Sequence, residues 1–169
     1  MANKRLAVLG SFITAAAFAG SAIGVFLFDI SSSDALHCQG YNPESEHHLE
    51  VNARRHFAYL QETDTEGNPV IRCYLAINQY AIGTNQSPIF GSCSSAGQEK
   101  TAWSPITAIQ PRSIPNRVTF SWDHKDGRKQ ISMQLSPESE TMTIGDGKKR
   151  DLGNSILDCQ LKPIDRPTR

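Results

Sequence analysis

Beyond Ala35 the apolar residues of this chain recur at every second position in short runs, and nowhere do they hold helical spacing for three turns. Residues two apart share one face of an extended strand, so each run reads as a strand with one face to bury. The clearest unit is Arg117 to Leu135, where Val118, Phe120 and Trp122 alternate with Thr119 and Ser121, and Ile131, Met133 and Leu135 alternate with Ser132 and Gln134. Asp126-Gly127 between them supplies the positive φ angles that tight hairpin turns require. A second hairpin is expected from His56–Leu60 and Val70–Ile77, joined by the polar stretch Thr63–Pro69. Met142 and Ile144 continue the alternation, Asp146-Gly147 marks a further turn, and Ile156–Leu161 reads as the last strand.

Six to nine such strands must bury their apolar faces, which a short chain achieves by closing a barrel or packing two sheets. The expected fold class is mainly β: a small antiparallel β-barrel, with a two-sheet β-sandwich as the alternative, after an N-terminal apolar helix. The stretch Gly83–Pro115, rich in Ser, Gly, Gln and Pro, gives no clear period and is expected to carry long loops.

The N-terminus has a different character. Lys4 and Arg5 precede an uncharged Ala/Gly-rich run from Leu6 to Phe28, in the manner of an export leader. The run is also long enough to cross a bilayer as a helix, so a cleaved signal and a retained signal anchor compete. Small-x-small cleavage patterns occur at Ala17-Phe18-Ala19 and Ser33-Asp34-Ala35; the second lies beyond the whole run, and cleavage after Ala35 is the preferred expectation. The expected organisation is therefore 1–35 export signal or anchor, 36–161 β domain, and 162–169 a loosely ordered tail with Pro163 and Pro167 among charges. Either fate of the leader places the domain in the periplasm or outside the cell, touching membrane only through residues 6–28 if they are retained.

All four cysteines, Cys38, Cys73, Cys93 and Cys159, follow the leader, and an even number in an oxidising compartment predicts two disulfides. Of the three connectivities, Cys38–Cys159 with Cys73–Cys93 is preferred, because it ties first strand to last and closes one local loop. The cysteines lie 35, 20 and 66 positions apart, unlike the short pairs of a zinc site.

The 17 basic and 17 acidic residues balance, and setting aside Lys4, Arg5, Asp29 and Asp34 leaves 15 of each. The basic excess that phosphate neutralisation demands is missing, which argues against nucleic acid as a partner.

Catalytic, metal and cofactor roles find no support in the residue pattern. The adjacent His47-His48 would point to opposite faces of a strand. Gly91-Ser92-Cys93-Ser94-Ser95 is not a nucleophile motif, and Cys93 is claimed by a disulfide. The acids Glu138, Glu140, Asp123 and Asp126 fall in turns. Aromatic side chains remain: Phe120 and Trp122 read as core, whereas Tyr80 and Trp103 lie near the irregular middle and are the candidate binding residues. The functional expectation is an exported, non-enzymatic binding domain of the inhibitor or ligand-carrying kind, its partner a protein or small ligand outside the cytoplasm. The alternatives are an envelope hydrolase with residues converging from distant strands, and a structural subunit of an envelope assembly.

Overall fold

The computed structural model describes residues 26–81, 88–96, 103–108, 116–145 and 155–164. Ten strands follow one another: β1 (Asp34–Tyr41), β2 (His48–Arg54), β3 (Phe57–Thr63), β4 (Pro69–Ile77), β5 (Ile89–Ser95), β6 (Ser104–Ala108), β7 (Arg117–His124), β8 (Gly127–Ser136), β9 (Thr141–Gly145) and β10 (Ser155–Pro163). Each pairs antiparallel with its neighbour in sequence, and β1 pairs with β10, so the meander closes into a barrel. Among the described residues every strand has a neighbour on both sides, and that closure decides between barrel and sandwich.

The two expected hairpins are β3–β4 and β7–β8. The second turn differs in detail from the expectation. His124 pairs with Gly127, so the loop residues are Lys125 and Asp126, and only Gly127, at φ 108°, takes the left-handed conformation. Gly127 thus acts as the exit residue of the turn, where a side chain would be strained.

The strand count exceeds the expected range because β5 and β6 arise from the stretch Gly83–Pro115, whose composition predicts only loops. The strands also reach Asp34 at one end and Pro163 at the other, beyond the limits Leu36–Leu161. The Asp146-Gly147 turn, the apolar run up to Val25 and residues 165–169 lie outside the described residues.

Inward positions fill the barrel. Val51, Leu60, Leu75, Val118, Phe120, Trp122, Met133, Met142 and Leu157 are buried, with the Phe120 and Trp122 rings stacked at 6.2 Å between centroids. Both disulfides belong to this interior. Cys38–Cys159 bridges directly paired positions across the closing β1–β10 seam, and Cys73–Cys93 does the same across β4–β5. With sequence separations of 121 and 20, loop-closure entropy assigns them roughly 5 and 3 kcal/mol. Gly40 lets the seam close: a Cβ there would lie 2.8 Å from the Ile156 carbonyl oxygen and 3.2 Å from Leu157 Cγ.

Candidate binding face

An inward phase fixed by Ala58, Leu60, Cys73, Leu75 and Cys93 forces the intervening residues of β3, β4 and β5 outward. Several of those are large aromatics. The registers place Arg54, Phe57, Ala76 and Phe90 in one transverse row, and Asn52, Tyr59, Tyr74, Ser92 and Pro105 in the next. Phe57 and Tyr74, on the diagonal between rows, have ring centroids 4.8 Å apart. Tyr74 and Phe90 remain 39% and 50% exposed. The Tyr59 hydroxyl donates to Gln61 Oε1 at 3.1 Å.

The aromatic strip lies between two hollows. One, of about 610 Å³, is lined by residues including Ala35, His37, Asn52, Arg54, Phe57 and Lys162. The other, of about 400 Å³, is lined by Ile77, Asn78, Tyr80 and Phe90. Arg54 and Lys162 are exposed cations in the first hollow. Glu50, on the same wall, is engaged: Asn52 Nδ2 donates to it at 2.7 Å, and His37 Nδ1 lies 3.7 Å away. A third cation, the Arg72 guanidinium, stands 5.7 Å from the Trp103 ring centroid in the row beyond Tyr74.

Tyr80 and Trp103, the two aromatics that the sequence singles out, do not come together. Tyr80 sits in a 3-10 turn (Gln79–Ala81) after β4, 95% exposed, its backbone N–H donating to Asn78 Oδ1. Trp103 sits at the opposite end of the barrel, immediately before β6, and is 43% exposed. They mark the two ends of the strip. Phe57, Tyr74 and Phe90, between them, are absent from the sequence-based candidates, although strand parity finds them: once Cys73 and Leu75 point inward, Tyr74 must point out.

The histidines make local pairs. His47 Nδ1 lies 2.9 Å from Glu62 Oε1, and His37 Nδ1 lies 2.9 Å from Asn52 Oδ1. Among the described residues no three His, Cys, Asp or Glu side chains converge in a way that could hold a metal ion. The one carboxyl clearly displaced from its ordinary range among those residues is Asp64 in the β3–β4 turn, held low by the Asn68 backbone N–H and side-chain amide, with a further backbone bond from Glu66. That is turn chemistry rather than a proton-transfer pair. No family model, curated protein or solved structure matches the chain.

Proposed function

We propose that the chain is an exported, non-enzymatic binding domain that holds a partner protein against the outer wall of β3–β5. The observation that carries this reading is the outward strip of half-buried Phe57 and exposed Tyr74 and Phe90 on a barrel whose core is filled by other side chains. Outward aromatics contribute nothing to that interior, and Tyr, Trp and Arg are the side chains that most often anchor protein interfaces. The two disulfides fit an oxidising compartment and support placement outside the cytoplasm. An interior filled by Trp122, Phe120, Met133 and Met142 favours the wall over a ligand carried inside the barrel.

Charge specifies the partner further. Arg54 and Lys162 stand at one side of the strip and Arg72 at the other, while Glu50 is held by Asn52 and His37. The partner is therefore a protein surface with an apolar centre for the rings and a carboxylate that enters the Arg54/Lys162 hollow.

A photo-crosslinking residue placed at Phe90, and separately at the exposed Ile156 of β10, tests this in the native compartment. The expected result is one discrete adduct from position 90, none from 156, and its loss when Arg54→Glu and Lys162→Glu reverse the hollow. Equal labelling from both positions, an adduct indifferent to the charge reversal, or an adduct with the mass of a second copy of this chain overturns the reading.

A further inference from the structure

We infer that the leader is cut upstream of Phe26, at the Ala17-Phe18-Ala19 pattern, and that residues 26–33 stay with the domain as a stopper in one end of the barrel. This rests on the exported reading above.

The structure gives those residues the standing of core. Leu27, Phe28 and Ile30 are 2%, 1% and 4% exposed and join the same buried cluster as the barrel interior. Hydrogen bonds tie their backbone to three separate strand ends. The Leu27 N–H donates to the Arg55 carbonyl at 3.1 Å, the Asp29 N–H to Asn116 Oδ1 at 2.7 Å, and the Ile164 N–H to the Ser33 carbonyl at 2.7 Å. The Phe26 ring packs under the Arg55 guanidinium at 3.6 Å and beside His56 at 5.5 Å. All these partners sit where β2 turns into β3, β7 begins and β10 ends, so the segment closes that end.

A cut after Ala35 would discard the three buried side chains and start the chain inside β1, deleting the Asp34–Pro163 and Ala35–Lys162 pairs of the closing seam. A leader whose last apolar residues are claimed by the folded domain must end earlier. The run Leu6–Ala16 falls within the roughly 7–15 apolar residues of a cleavable leader, and Ala17 and Ala19 supply the small residues its peptidase requires. In the cut, a leader peptidase hydrolyses the Ala19–Gly20 amide: water gives its hydroxyl to the Ala19 carbonyl carbon and a proton to the departing Gly20 amine.

Intact mass and N-terminal sequencing of the protein recovered outside the cytoplasm test the site. The wild-type chain is expected to begin at Gly20, Ala19→Arg to abolish that cut, and Ala35→Leu to leave it unchanged. A chain beginning at Leu36, or an exported chain left uncut, overturns the inference. Uncut chain retained in the cytoplasm with free thiols overturns the exported reading as well, so the two failures are distinguishable. As a second measurement, oxidised chains produced to start at Gly20 and at Leu36 are compared by thermal unfolding. The shorter chain is expected to melt lower by roughly 10 °C or more, and equal melting removes the stopper.

Discussion

The walls formed by β3–β5 and by β7–β8 obey the same rule inward and opposite rules outward. Inward, Leu60 and Leu75 on one wall match Phe120 and Met133 on the other, all fully buried. Outward, β7–β8 present small hydroxyls that the protein itself satisfies. Thr119 Oγ1 and Ser132 Oγ lie 2.9 Å apart, the Arg117 guanidinium donates to Ser132 Oγ at 3.2 Å, and that of Arg128 donates twice to Ser121 Oγ. Thr119, Ser121 and Ser132 are buried despite their outward phase. The β3–β5 wall instead leaves Tyr74 and Phe90 open to water. A barrel constrains only its inward phase, so rings that face outward without cover point to a role other than holding the fold.

The largest effects should therefore be blind to which wall a residue belongs to. Leu60→Ala and Phe120→Ala each remove a buried side chain from the common core, and each should cost about 2–5 kcal/mol in urea unfolding. A large cost on one wall only would break the equivalence. The outward hydroxyls come next. Ser132→Ala strands Thr119 and the Arg117 guanidinium, an expected loss of about 1–3 kcal/mol by the same measurement.

How much of this is legible in the sequence follows from where period two survives. Val118 to Leu135 carries it cleanly, and the hairpin is evident from the residues alone. β5 hides it, because Ile89 points in while Phe90 points out, so two adjacent apolar residues erase the alternation. Gly91 weakens it further; a Cβ there would collide with the Tyr74 carbonyl oxygen, so glycine is required by the approach of β4. β6 is short and contains Pro105, a residue that argues against a strand when read alone. The proposed binding face is hidden for a related reason. Its aromatics come from three strands and become a strip only when the register aligns Phe57, Tyr74 and Phe90, while the two aromatics near the irregular middle prove to mark its ends.

The smallest expected effect separates a turn from both walls. The Asn68 backbone N–H and side-chain amide favour ionised Asp64 in the folded state, so its lowered pKa contributes stability above the unfolded value. That contribution is lost as pH falls through the folded value. Asp64→Asn should lower the urea midpoint slightly at neutral pH and flatten its acid limb, the two proteins converging as pH falls through the folded value; an unchanged midpoint at pH 7 with an unchanged acid limb would contradict this assignment.

Urea unfolding of Tyr74→Ser combined with Phe90→Ser decides whether the outward aromatics of β3–β5 serve something other than the fold. The expected stability change is within about 1 kcal/mol with an unchanged denaturant slope, as for exposed positions. A loss of several kcal/mol, comparable with Phe120→Ala, would show that these rings hold the barrel together and would remove the main ground for a binding face.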